Sequence, residues 1–203
     1  MAVSTQITTL QYASTSPKQV ETATAVGTVS TAGNATVIVT SKYLPSSPIT
    51  LQVAVLLSDT ATLVGGKVRT ALLANPEIVS VYAVGGSGAT VVLTSLVSRE
   101  NDATLNVAIN NGTCAGLTNA PTSVNTTAGG TYTKLLDITS YPDLGSTPSK
   151  LDTTDLSQST YKTSILGLQE LPDLTFEANY DEAVYNTISA LSSNYFFQLL
   201  FGS

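Results

Sequence analysis

The chain has 203 residues, with 8 basic and 14 acidic side chains for a net charge of −6, one cysteine, no histidine and no tryptophan. That length is ample for a buried core, and 42% hydrophobic residues with only 11% charged ones exclude a disordered chain. The absence of histidine excludes a Ser-His-Asp triad, a Cys-His pair and a mixed Cys/His zinc site, and an acidic chain lacks the clustered Lys and Arg that hold phosphates.

No apolar run approaches the roughly 18–20 residues needed to span a bilayer. Met1-Ala2-Val3-Ser4 has neither the charged nor the apolar region of a signal peptide. The expectation is a soluble chain without a cleaved leader. Cys114 lies in Asn111-Gly112-Thr113-Cys114-Ala115-Gly116 and reads as a small buried residue rather than a reactive thiol.

Threonine and serine exceed a quarter of the chain, and Val, Thr, Ile and Tyr occur in short runs between Gly, Pro, Asn and Ser clusters, which is a β composition. Thr5 to Tyr12 alternates as a first strand, and Ser14 to Lys18 reads as a boundary. Residues 19 to 129 read as a self-contained unit of ββαββ form. In it, Val26 to Ser30 and Thr36 to Thr40 flank Ala32-Gly33-Asn34, which predicts a hairpin turn. Ile49 to Leu56 is a third strand. Ser58-Asp59-Thr60 offers a helix N-cap, followed by Leu63, Val64, Val68, Ala71 and Leu72 at helical spacing. Asn75-Pro76 stops that helix. Val79 to Val84 and Ala89 to Ser95 form a hairpin across Gly85-Gly86-Ser87-Gly88, and Thr104 to Ile109 is a further strand.

Residues 130 to 203 hold nine acids and three lysines, a net of −6, against a net of −1 for residues 19 to 129 and +1 for residues 1 to 18. Tyr132 to Ile138 is a strand candidate. Tyr141 to Gly167 is a polar stretch too long for a turn, and loops longer than about 12–15 residues usually bind something. Leu174, Phe176, Ala178 and Tyr180 alternate as a half-buried strand. Asp181 and Glu182 favour a helix N-terminus, and Val184, Ile188 and Leu191 give that helix one apolar stripe. Tyr195 to Phe201 is a strand apolar on both faces. Such a strand is either central, paired with another chain, or covered by chain that continues beyond it.

The chemical motifs are weak. Val64-Gly65-Gly66-Lys67-Val68 lacks both the earlier glycine and the Ser or Thr that a phosphate loop needs. Gly85-Gly86-Ser87-Gly88 lies between strands and reads as a turn rather than a dinucleotide fingerprint. Asn34-Ala35-Thr36, Asn111-Gly112-Thr113 and Asn125-Thr126-Thr127 match the glycosylation triplet, as chance predicts at this threonine content. Asp152-Thr153-Thr154-Asp155 lacks the glycine and terminal glutamate of a calcium loop. Glu177 and Asp181 could be a carboxylate pair, but nothing fixes their separation. The expectation is a non-enzymatic chain with no catalytic residue, no cofactor and no metal.

One run is more specific. Tyr141-Pro142-Asp143-Leu144-Gly145-Ser146-Thr147-Pro148-Ser149-Lys150-Leu151-Asp152-Thr153-Thr154-Asp155-Leu156, then Tyr161-Lys162 and Gly167, resembles the long loop of major tail tube proteins of long-tailed (siphovirus-type) bacteriophages. Leu171-Pro172-Asp173-Leu174-Thr175-Phe176-Glu177-Ala178-Asn179-Tyr180-Asp181 is similar to the strand before that family's single helix, and Val184-Tyr185-Asn186-Thr187-Ile188 to the start of the helix.

The resemblance implies a mainly β fold: a tail-tube β-sandwich or barrel subunit with one flanking helix, made of residues 1–18 and 130–203, and interrupted by an accessory α+β domain at 19–129. It implies hexameric rings stacked into a tube that passes DNA, contacts with the tape measure and other tail proteins, no membrane, assembly in the host cytoplasm and residence in the virion tail. Tyr141, Pro142, Asp143, Leu144, Gly145, Pro148, Leu151, Asp152, Leu156 and Tyr161 would contact a neighbouring subunit or ring. Asp137, Glu170 and Glu177 are the candidate lumen acids, since negative charge lets DNA slide. The family carries strands beyond the position of Phe201-Gly202-Ser203, which implies a shortened chain, a partner supplying those strands, or a short member. The alternative is a β-rich surface adhesin, or a module binding carbohydrate or protein, which would stay monomeric.

Overall fold

Residues 8–140, 150–152, 164–166 and 176–201 are described by a computed structural model, and the fold is mainly β with several antiparallel sheets. The described residues divide into two units. A split unit lies within Met1–Tyr12, Lys134–Ser193 and Phe197–Ser203, and a central unit comprises Ala13–Thr133 with Asn194–Phe196.

The central unit contains β2 (Val20–Thr24), β3 (Gly27–Thr31), β4 (Gly33–Thr40), β5 (Ile49–Val55), α1 (Ala61–Leu73), α2 (Pro76–Val81), β6 (Tyr82–Gly85), β7 (Thr90–Ser95), β8 (Asn106–Asn111), β9 (Ala115–Leu117) and β10 (Val124–Thr127). Two sheets of order β10-β2-β7-β6 and β5-β4-β8, with a β3-β9 ribbon, replace the simpler ββαββ expectation. The unit's core joins Val37 and Val39 of β4, Val107 and Ile109 of β8, Val91 and Leu93 of β7, and Val64, Val68 and Leu72 of α1. Each of these apolar side chains contributes about 1.5–3 kcal/mol on burial.

Several local expectations change. β3 and β4 do not pair with each other: β3 pairs β9, while β4 lies between β5 and β8. Gly33 is absent from the positive-φ residues and serves close approach instead, since a Cβ there would sit 2.7 Å from the Thr113 carbonyl and the Cys114 amide. Thr60 occupies the α1 N-cap position without a side-chain cap bond. The Asp59 carboxylate turns back to accept from Leu56 N at 2.8 Å and pairs with Lys67. Pro76 both ends α1 and opens α2, where Asn75 caps Glu77 N and Ile78 N. A proline at the first helical position costs nothing and its φ is already helical. The segment from Val79 therefore stays helical to Val81 before β6, although its β-branched residues favour a strand. The β6–β7 hairpin pairs Gly85 with Val92, and Gly86 and Gly88 take positive φ in its turn.

The two ends of the central unit meet. Tyr132 OH lies 2.9 Å from Ser16 Oγ, Asn101 N donates to Gly130 O and Gly130 N to Arg99 O. Gln19 closes a reciprocal pair with the Asp102 backbone, at 2.9 Å and 2.7 Å.

The split unit contains β1 (Thr8–Ala13), β11 (Thr133–Ser140), β12 (Lys150–Asp152), β13 (Ser164–Leu166), β14 (Glu177–Ala178), α3 (Glu182–Ser189) and β15 (Phe196–Phe201), with β1, β11 and β15 crossing its boundaries by one residue. Its sheet has the order β14-β11-β1-β15, and β12 pairs β13 separately. Of the strand expected over Leu174 to Tyr180, Leu174 and Thr175 lie outside the described residues, and the described part is strand at Glu177–Ala178, with Glu177 through Tyr180 exposed. Asp181 caps α3 by accepting from Ala183 N at 2.8 Å and Val184 N at 3.2 Å.

Candidate functional site

Among its described residues the split unit buries few side chains. Its buried apolar cluster is Leu10, Leu135 and Ile138, supported by half-buried Tyr12, Leu136, Phe176, Val184 and Leu199. α3 has no buried residue. Tyr180, Tyr185, Ile188, Phe196, Phe197, Leu200 and Phe201 are exposed. Exposed apolar side chains gathered into one patch mark surfaces that something covers.

β15 is the focus of that surface. Among the described residues it is the outer strand of its sheet, beside β1, so of the three alternatives left open for Tyr195 to Phe201 the central position is not the one taken. Phe196-Phe197-Gln198-Leu199-Leu200-Phe201 carries no charge or proline, the two features that blunt natural edges. Next to it a 630 Å³ groove is lined by Leu10, Leu135, Phe176, Ile188, Phe197 and Leu199, among others. Gln198 Nε2 donates to Gln11 Oε1 of β1 at 2.6 Å, so a side-chain hydrogen bond joins β15 to β1.

The expected contact residues are mostly outside the described residues: Tyr141, Pro142, Asp143, Leu144, Gly145, Pro148, Leu156 and Tyr161, together with the candidate acid Glu170. Leu151 and Asp152 lie on β12, opposite Ile165 and Ser164 of β13, so this long polar stretch contains a two-stranded ribbon. Its apolar residues were too few and too scattered to signal a strand pair.

Asp137 on β11 is exposed but not electrostatically free. Its carboxylate accepts from Lys134 Nζ at 2.7 Å and from Thr9 Oγ1 at 3.0 Å, and the Lys134 hydrogen bond holds it below the ordinary carboxylate range. Glu177 is exposed on β14, with its backbone carbonyl accepting from Thr139 Oγ1 at 3.1 Å. Asp181 Oδ1 accepts the first amides of α3, so this carboxylate serves as the helix cap.

The other motifs resolve into structure. The Asn111 side chain donates to Leu117 O at 2.7 Å and accepts from Leu117 N at 3.1 Å, which leaves it closing the β8–β9 turn. Cys114 is buried. Gly65 packs on the backbone of Gly88 and Ala89, and Lys67 is paired with Asp59. The sequence reading missed Asp102, which is 1% exposed and accepts from Ser41 Oγ, Lys42 N, Thr104 N and Thr104 Oγ1 at 2.6–2.9 Å. The available signal was Asp102-Ala103-Thr104, since an aspartate bonding the amide two residues on is a recurrent turn. Among the described residues no helix is long and apolar enough to cross a membrane, and no group of three acidic or cysteine side chains is placed to hold a metal. No family model matches the chain, and no curated protein or solved structure is significantly similar to it.

Proposed function

We propose that this chain is a structural virion protein that polymerises, as stacked hexameric rings, into the tail tube of a long-tailed bacteriophage and thereby forms the conduit for DNA. The observation that carries the reading is β15, an uncharged Phe/Leu strand that, among the described residues, lies at the edge of a sheet with a thin core. Ring closure removes such edges by pairing each with the next subunit. The run from Tyr141 to Ile188 that resembles tail tube proteins supports the same reading, and the net −6 of residues 130–203 has the sign that lets DNA slide. Asp137 contributes less to that field than its charge suggests, because Lys134 neutralises it locally. In this reading the tape measure and other tail proteins are further partners, and the site is the assembled tail rather than a membrane.

Negative-stain electron microscopy with light scattering across a concentration series tests it. Rings or hollow tubes of uniform width are expected. A strict monomer at high concentration would favour a surface adhesin, in which the well-packed central unit does the binding.

Two deletions refine the roles. Joining Lys18 to Gly130 removes residues 19–129 while keeping the Ser16–Tyr132 contact, and inserted units with adjacent ends are separable. Tubes are therefore expected to form without the insert, as seen by microscopy. Removing Tyr141 to Gly167 is expected to abolish tubes while circular dichroism still reports a folded β protein, and tubes that persist would end the contact role of that segment.

A further inference from the structure

The two larger sheets of the central unit end on four strands, and three are blunted. β8 is covered by the chain that follows it: Ile109 and Ala120 exchange backbone bonds of 2.9 Å, Val107 N donates to Ser123 Oγ at 2.9 Å and Asn111 N to the Asn119 side chain at 2.8 Å. β10 has four residues and an irregular register between Asn125 and Thr127, and β6 also has four residues. β5 is different. Its seven residues pair in unbroken register with β4 on one side, and among the described residues no strand pairs with the other. Ile49-Thr50-Leu51-Gln52-Val53-Ala54-Val55 has no charge, no proline and no bulge, so three of the devices that stop another strand from adding are missing from it.

Along this edge α1 leaves a 550 Å³ groove bordered by Gln52, Val53 and Ala54 of β5 and by Leu63, Gly66 and Lys67 of α1, among others. Leu56, Leu57 and Leu63 are 65%, 64% and 53% exposed. The groove's one charge, Lys67, is already paired with Asp59 inside the same chain.

We propose that β5 is a self-association strand: two copies of this chain pair their β5 edges antiparallel about a two-fold axis and merge their three-stranded sheets into one. A two-fold contact must be complementary to itself. β5 satisfies that condition because no like charges face each other across it and its backbone is both donor and acceptor. A partner selected by charge would need an uncommitted charged group in the groove, and Lys67 is committed. Size sets the strength. Seven residues at about 3.4 Å each give about 24 Å of edge, and a sheet-plus-helix layer about 20 Å across makes roughly 500 Å² per copy. A standard interface uses about 800 Å² per partner, so the dimer is weak and concentration-dependent. The inference rests on the central unit and is independent of the tube reading.

The test uses the full chain with single cysteines at the exposed positions Thr50→Cys, Gln52→Cys and Ala54→Cys, Cys114 being buried. Directly opposed residues in an antiparallel pair have Cβ atoms about 4.5–5.5 Å apart, close to disulfide reach. Oxidation is expected to give a cross-linked dimer in at least one variant, and Gln52→Lys with Ala54→Lys is expected to weaken association at least tenfold with an unchanged melting profile. If the chain also forms tubes, the lysine pair removes the cross-link while tubes remain. A monomer at about 100 µM with no cross-link at any position overturns the proposal, as does a cross-link that survives the lysine pair. Protection of β5 amides by an added uncharged extended peptide, with no self-association, would assign the edge to a foreign strand and also overturn it.

Discussion

Replacing Leu200 by lysine is expected to raise the concentration at which rings or tubes form about a hundredfold, without moving the melting of the central unit. Leu200 is 46% exposed on β15, in a strand with no charge, at the outer edge of its sheet. A neighbouring strand that covers it gains about 1.5–3 kcal/mol from its burial. A lysine forfeits that gain and adds the cost of desolvating an ammonium group with no partner on the strand. A loss near 2.8 kcal/mol at each contact is two decades in affinity. Val124→Lys is the matched control, since Val124 is 64% exposed on β10 of the central unit and lies outside the proposed ring contact. Sedimentation and microscopy over a concentration series read both variants. Tubes from Leu200→Lys at the wild-type concentration would remove β15 from the assembly surface.

Local sequence fixed which segments are strands and helices far better than which segments touch. Val64, Val68 and Leu72 form the buried stripe of α1, as their spacing implies, yet Leu63 is 53% exposed because it lies about 100° around the helix from Val64. Asn75-Pro76 carries two messages, a stop for α1 and a cap for α2, and spacing alone reveals only the first. Gly33 looked like a turn residue because glycine permits positive φ, whereas the structure uses its missing side chain to bring Thr113 against β4. Strand partners are contacts between distant parts of the chain, such as β2 with β7 and β4 with β8, and a period of two says nothing about them. The same limit applies to the proposed assembly surface. The apolar character of Tyr195 to Phe201 is plain in the residues, but its position at the edge beside β1 is not. Nor does a strand pattern reveal that Lys134 is paired with Asp137.

Asp102→Ala is expected to cost the central unit about 4 kcal/mol. The carboxylate is 1% exposed and is the shared acceptor for Ser41, Lys42 and Thr104, while its backbone holds Gln19. Truncation strands at least three donors, each costing about 1–3 kcal/mol when buried without a partner, with water recovering part of the loss. Against a total of about 5–15 kcal/mol, this lowers the melting temperature by well over 10 °C, readable by calorimetry and by the near-ultraviolet signal of Tyr82, whose hydroxyl lies 2.6 Å from Ser41 Oγ. The acid dependence has a definite sign. Burial opposes ionisation of Asp102, but the bonds from Thr104, Ser41 and Lys42 N outweigh it and hold its pKa below the ordinary value. Its contribution is therefore complete above about pH 4 and is lost as pH falls through the depressed value. Glu21 has the opposite sign. It is 2% exposed, burial raises its pKa despite the 2.5 Å bond from Ser123 Oγ, and its Oε2 has no partner. Its contribution is present in acid, below about pH 4.3, and is lost as pH rises through the raised value. Glu21→Gln removes that buried charge, so it should stabilise the unit at pH 7 by on the order of 1 kcal/mol and converge on wild type below pH 4. A glutamine variant that melts lower than wild type at pH 7, and still does at pH 4, would show that Glu21 is held as a satisfied carboxylate.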